Sequence, residues 1–172
     1  MMKTFNPGVQ LSLCQDSSAC IFGDYPSLAV MKSAFGFNAP IAWLVPQLYN
    51  LSEYCGCRDK LQGAQLEECA GVIATNFYWL KISEMMLFFH RFKSGMYGRF
   101  YGSVDPLIII EALRKFVSER NTEIDKRESE ERMRRIEESR KGTMTYQEFL
   151  KLKQQQEEQK NESETDCNEH AE

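Results

Sequence analysis

The chain has no apolar stretch long and uninterrupted enough to cross a bilayer. Its most hydrophobic run, Val72 to Phe92, is broken by Lys81, Glu84 and Arg91. A charge at the bilayer centre costs about 3 kcal/mol, so this run reads as protein core and no membrane association is expected. Histidine is scarce: His90 and His170 are the two in the chain, and only His90 lies where a fold is expected. No nucleophile, acid or orienting group accompanies it in the sequence, so no catalytic set can be assembled around it and the protein is expected not to be an enzyme. Glu84 and Glu111 are rejected as an acid pair, because helix-start electrostatics or surface exposure explains each of them. The cysteines at 14, 20, 55, 57, 69 and 167 match no zinc module, since Cys55-Gly-Cys57 has no second pair to complete four ligands. Neither a metal nor any other cofactor is expected. With no charged and apolar N-terminal signal segment in view, the thiols are expected to be reduced and the protein cytoplasmic.

What is present is helical punctuation. Residues 1–23 mix Asn6-Pro7-Gly8, Cys14-Gln15-Asp16-Ser17-Ser18 and Gly23 with short apolar pieces, and read as an irregular N-terminal arm. From Tyr25 a short helical pattern carries Pro26 in its first turn and stops at Gly36. Asn38 is placed to cap a second helix that runs through Trp43, Leu44, Leu48 and Leu51 to Gly56, with Pro46 expected to kink or restart it. Beyond Gln62-Gly63, Leu66, Cys69, Val72, Ile73, Phe77 and Leu80 recur at helical spacing. Ser83 is a candidate cap for a further face, Met85, Met86, Phe88, Phe89 and Phe92, which ends at Gly95. The spacing does not decide between one helix and two over 64–94.

Asp105-Pro106 is a strong start signal: the Asp caps, the Pro takes the first turn, and Leu107, Ile110, Leu113 and Val117 form the expected buried stripe. Beyond Arg120 that stripe fades into alternating charge. Acid-first pairs Glu128 with Arg132, Glu130 with Arg134, Glu131 with Arg135 and Glu137 with Lys141 are spaced to support an exposed helix, by about 0.2–0.5 kcal/mol each. That helix is expected to end at Gly142. Thr145 with Glu148 forms a capping-box pattern opening a last helix through Phe149, Leu150 and Leu152. The fold class is therefore all-α: an irregular arm over 1–23, a small helical domain over 24–120, a long charged helical extension over 121–160, and an acidic tail over 161–172 expected to be disordered. The extension reads first as a plain solvated helix, with the alternative that it is a spacer presenting the helix over Thr145–Gln159 to another protein.

One segment looks like a site. Between two helix patterns lies GMYGRFYG, with glycines at 95, 98 and 102 that would bring the backbone close to a neighbour. Around it Lys81, Arg91, Lys93, Arg99, Arg114, Lys115 and Arg120 outnumber Glu84, Asp105, Glu111 and Glu119, a modest local positive balance within an acidic chain. The glycines lack the order of a phosphate-binding loop, and Asp105 at the next helix start would repel an anion. Arg91, Lys93, Tyr97, Arg99, Phe100 and Tyr101 are the candidate binding residues. Their chemistry suits a partner protein's pockets and carboxylates, or, as the alternative, stacked bases and phosphates of a nucleic acid. The bland reading has the rings turned inward to close a helix corner and the bases solvated.

The run YWLKISEMMLFFHRFKSGMYGRFYGSVDPLIIIEALRKFVSERN resembles a family of uncharacterised proteins found in Bacteroidales genomes and their mobile elements, in which a helix ending FFxRFKxGxYGxFYG leads into a helix started by VDP. The resemblance covers about residues 78–128 and brings no assigned activity. The layout of a small helical domain with a charged tail is also similar to phage replicative-helicase loaders, by architecture alone. Together these imply an interaction adaptor in the replication or maintenance of a mobile element.

Overall fold

The computed structural model describes residues 4–141 and 146–166, with side chains through residue 157. It is all-α, and among the described residues the only extended pairings are isolated bridges, Ser27 with Lys81 and Asp59 with Ser103. After a short 3-10 turn at Pro7–Val9 come α1 (Gln10–Leu13), α2 (Ser17–Phe22), α3 (Leu28–Phe35), α4 (Ala39–Tyr54), α5 (Gly63–Asn76), α6 (Ile82–Lys93), α7 (Pro106–Lys141) and α8 (Tyr146–Asp166). One compact unit extends to Thr122 and a second begins at Glu123.

The N-terminal segment differs from the expected irregular arm. Asn6 caps the 3-10 turn through its side chain, Asp16 Oδ1 accepts from Ala19 N at 2.9 Å to start α2, and Cys14, Cys20 and Ile21 are buried. Both α1 and α2 pack against α6. Their order comes from that packing, since helices this short are not stable alone.

α3 begins at Leu28, so Pro26 lies two residues ahead of it and not in its first turn; Ser27 Oγ accepts from Val30 N as the cap, and the helix ends at Gly36, whose φ of 99° few other residues would adopt. α4 starts after Asn38 as expected, although the Asn38 side chain makes no capping bond, and it runs unbroken through Pro46. It ends at Tyr54, short of Gly56. The stretch 64–94 is two helices, α5 and α6, parted by Phe77–Lys81. The break is held by Pro26 and the first turn of α3: Leu28 N donates to Leu80 O (3.0 Å), Ala29 N to Tyr78 O (2.7 Å) and Ile82 N to Pro26 O (2.9 Å).

α6 is the centre of the first unit, with Ile82 to Phe89 and Phe92 all buried. Ser83 is not its cap. It lies inside the helix and donates to Cys20 O at 2.7 Å, while the backbone N–H of Lys81 is met by Glu84 Oε2 at 2.8 Å. Phe88 anchors an aromatic cluster with Phe89, Phe92, Tyr97 and Phe116, at centroid distances of 5.2 to 6.0 Å. α7 starts where Asp105-Pro106 marks it, Asp105 Oδ1 accepting from Leu107 N at 2.8 Å. Its buried face is offset from the expected stripe: Ile109, Ala112, Leu113 and Phe116 are inside, whereas Leu107 is 76% exposed.

In the second unit, from Glu123, the helix that continues to Lys141 buries no side chain. Of the expected acid-first pairs Glu137–Lys141 stands at 3.9 Å, beside base-first pairs Lys126–Glu130 (3.9 Å), Arg127–Glu131 (3.2 Å) and Arg134–Glu138 (3.9 Å). The expected helix end at Gly142 and the cap at Thr145 lie outside the described residues. α8 runs to Asp166, so helix persists past residue 161, where a disordered tail was expected to begin; residues 167–172 lie outside the described residues. Among the described residues no helix is long and apolar enough to cross a membrane.

Candidate functional site

The glycine loop is built as an anchored turn. α6 ends at Lys93, Gly95 N donates to Phe92 O (2.9 Å), and the chain reverses through Gly98 and Gly102, whose φ values of 100° and 80° lie in the left-handed region. A Cβ added at Gly95, Gly98 or Gly102 would meet nothing within 4 Å. These glycines are therefore needed for backbone conformation and not, as the sequence suggested, for close approach. The return strand of the loop is clamped to the segment after α4: Asp59 N donates to Gly102 O (3.2 Å) and Val104 N to Asp59 O (2.9 Å).

The six candidate residues do not form one surface. Tyr97 is buried, its ring 5.8 Å from Phe88, and its hydroxyl donates to Glu119 Oε2 at 2.9 Å. Burial first, then the Glu119 carboxylate, pushes this phenol well above its usual range. Arg91 reaches the same carboxylate at 3.5 Å and lies over the Phe116 ring at 5.6 Å. Phe100 stacks on Phe92 at 5.3 Å. Lys93 turns toward the N-terminal helices, donating to Gln10 Oε1 at 2.6 Å and to Asn50 Oδ1, with the Tyr54 ring 5.8 Å away. Arg99 and Tyr101 face solvent, Tyr101 being 89% exposed. Four of the six residues thus pack into the corner: the rings of Tyr97 and Phe100 turn inward, as in the bland reading, whereas Arg91 and Lys93, which that reading leaves solvated, are held by Glu119, Gln10 and Asn50.

Between the loop and the C-terminal end of α4 is a cleft of about 320 Å³ lined by Tyr54, Cys55, Phe92, Lys93, Arg99 and Phe100. It reunites three candidate residues, Lys93, Arg99 and Phe100, with two that sequence reasoning left out, Tyr54 and Cys55. Burial pushes the Lys93 ammonium below its usual range, while Cys55 and Cys14 pull it back up. Burial, assisted by Cys57, pushes the Cys55 thiol up, against the pull of Lys93. Both shifts come first from burial, in a recess walled by the rings of Tyr54, Phe92 and Phe100.

Two buried polar assemblies had little local signal. Glu84 is fully buried, accepts from Lys81 N and forms an ion pair with Arg120 Nε at 2.6 Å, the Arg120 guanidinium lying 5.1 Å from the Trp79 ring. The Lys81 amine donates to Ile21 O (2.9 Å) and Gly23 O (2.8 Å), fastening α2 to the start of α6. The helix-start signal at Glu84 was visible in sequence, but its partner 36 residues away was not. In the second assembly, Gln10 Nε2 donates to Gln47 Oε1 at 2.6 Å, and Gln47 Nε2 and Trp43 Nε1 both donate to Phe5 O. Cys20 Sγ donates to Leu13 O at 3.4 Å, and the Cys14 thiol, hydrogen-bonded to Cys20, is pushed up. Among the described residues no group of three or more His, Cys, Asp or Glu side chains is placed to hold a metal ion.

These features define an all-α protein whose first unit carries an anchored, solvent-facing glycine loop. Its family follows from residues 60–161, which match the model of a family of unknown function, DUF6633. The chain belongs to that family. No curated protein and no solved structure matches it.

Proposed function

We propose that the protein is a non-enzymatic interaction adaptor that engages a partner protein at the tip of its glycine loop. The observation that carries this reading is the contrast within the turn: Tyr97 and Phe100 are packed and Asp59 clamps the return strand, yet Tyr101 is 89% exposed beside exposed Arg99 and Met96. Tyr and Arg are the side chains that most often anchor interfaces, and a loop already held in place loses less entropy on binding. The reading is non-enzymatic because the polar groups gathered at Lys93, namely Gln10 and Asn50, satisfy one another instead of facing a reacting atom. Free thiols at Cys14, Cys20, Cys55, Cys57 and Cys69 support a cytoplasmic setting.

Direct nucleic-acid binding is the second reading, favoured by the same Arg99 and Tyr101. It is weaker, because one cation and one ring replace the three cations and three rings that the sequence offered, and affinity for phosphates grows with the number neutralised. A role in replication or maintenance of a mobile element rests on the motif resemblance.

Affinity capture with the full chain and with an Arg99→Ala, Tyr101→Ala variant, read by mass spectrometry, tests the proposal. A partner protein retained by the parent and lost by the variant is the expected result, and a replication or mobilisation protein among such partners would carry the mobile-element role. Identical capture by both chains would remove the loop from the interface. Micromolar, steeply salt-dependent binding of single-stranded DNA by the full chain would favour the second reading instead.

A further inference from the structure

The opposite end of α4 carries a second surface, separate from the glycine loop. One recess of about 380 Å³ is walled by Lys32, Phe37, Pro40, Ile41, Ala74 and Tyr78. A second, of about 590 Å³, is walled by Asn38, Ile41, Ala42, Val45, Glu67 and Glu68. Ile41 lines both, so the two adjoin and together make a grooved face along the first turns of α4 and the side of α5 that carries Glu67, Glu68 and Ala74. Its apolar side chains are open to solvent, with Phe37 70% and Tyr78 55% exposed. On α5, Gly71 lies one turn from Glu67 and Glu68 and one turn from Ala74, and a Cβ at Gly71 would meet nothing within 4 Å. The helix surface between Glu67, Glu68 and Ala74 therefore carries no side chain at Gly71 and is open there.

The charges at its two ends differ in sign. At one end the Lys32 amine lies 4.3 Å from the Phe37 ring centroid. At the other, Glu67 and Glu68 are exposed and form no ion pair among the described residues. The span from Ala74 back to Glu67 is about 10 Å at 1.5 Å per residue, or two helical turns.

We propose that this groove takes a short amphipathic helix of a partner protein, its apolar face on Ile41, Val45 and Ala74, an acidic residue toward Lys32 and a basic residue toward Glu67 and Glu68. A helix is the occupant that fits a groove flanked by two helices and floored by small residues, where axes approach to about 8–10 Å and anchors recur at i, i+3 or i+4, and i+7. The opposed end charges fix its direction and reject the reverse orientation. An anionic polymer would meet repulsion from Glu67 and Glu68 along half of the groove.

A displayed library of helical peptides of about 15 residues, sorted on the full chain, tests this. Enriched peptides should carry apolar anchors with an acid at one end and a base about two turns away. Their affinity, measured by fluorescence polarisation, should fall at least about tenfold on the Ala74→Arg variant and stay unchanged on Tyr101→Ala. Because Ala74→Arg could disturb folding, the exposed double variant Glu67→Lys, Glu68→Lys supplies the decisive arm: sorted on it, the library should yield an acid where the parent selects a base. Absence of enrichment, equal affinity for a folded Ala74→Arg chain, or an unchanged charge order on the double variant would each overturn the proposal. The outcome does not depend on the glycine loop, so either reading can fail alone.

Discussion

α6 and the stretch from Glu123 to Lys141 share a backbone conformation and almost nothing else. Nine of the twelve residues of α6 are buried, including a carboxylate, whereas the stretch from Glu123 buries none. Half of α6 is Ile, Ser, Phe and His, residues of middling helix propensity, and its helix is held by α1, α2 and the Phe88 cluster around it. The other stretch is rich in Glu, Arg and Lys, strong helix formers whose i,i+4 pairs add a little more. One helix is decided by tertiary contacts and the other by its own sequence, so the same disturbance should cost them very different amounts.

The largest effect is expected at Glu84. Glu84→Ala leaves Arg120 half of a broken buried pair and orphans the Lys81 N–H, so a loss of about 3–5 kcal/mol is predicted, read as a fall of about 2–4 °C in melting temperature per kcal/mol. A fall of only a degree or two would show that α6 is less dependent on its surroundings than its burial implies. Next come the two tyrosines of the glycine loop. Tyr97→Ala should cost about 3 kcal/mol by emptying a site against Phe88 and Phe92, and Tyr101→Ala less than about 0.5 kcal/mol. Equal denaturant midpoints for the two variants would erase the distinction between the packed and the presented side of the turn.

Alkaline pH provides a third test. Burial pushes the Cys69 thiol from 9.0 up to about 11, so the folded state keeps a proton that the unfolded chain gives up. The stability this provides is full below pH 9 and is lost as pH rises toward 11, on the order of 2–3 kcal/mol by linkage. Comparing unfolding free energies at pH 8.5 and 10.5 for the parent and for Cys69→Ala isolates this contribution, and the variant's loss should be the smaller. Lys93, pushed down by burial, acts with the opposite sign below 10.5 and is common to both chains. At the start of α7, Asp105→Ala should cost about 1 kcal/mol through the lost cap on Leu107 N. Smallest of all, Arg127→Ala in the charged stretch should change stability by a few tenths of a kcal/mol, measured as helicity by circular dichroism and abolished near 1 M salt.

Particular residues show how far the sequence could be read. Gly36 as a stop and Asp105-Pro106 as a start were legible because each acts within one turn of itself. The buried face of α7 was misread because Leu107-Ile108-Ile109-Ile110 is apolar all round, so Leu107, Ile110, Leu113, Val117 and Ile109, Ala112, Leu113, Phe116 fit the helical period about equally well. In the candidate site, Tyr97, Phe100 and Tyr101 were indistinguishable by composition. Phe92 and Glu119 take the first two inward and leave the third outside. Tyr54 and Cys55 joined the cleft only because α4 ends beside the loop.

By itself the sequence determined the helical class, the breaks at its glycines, the capped start of α7 and the charged helix beyond Thr122, since propensity, capping and i,i+4 pairing act over a few residues. Tertiary structure alone decided that residues 7–13 and 17–22 form short helices, that Glu84 meets Arg120, and that of six candidate binding residues Arg99 and Tyr101 are the ones facing solvent. Burial is a property of what packs against a residue, and here those neighbours lie tens of residues away along the chain.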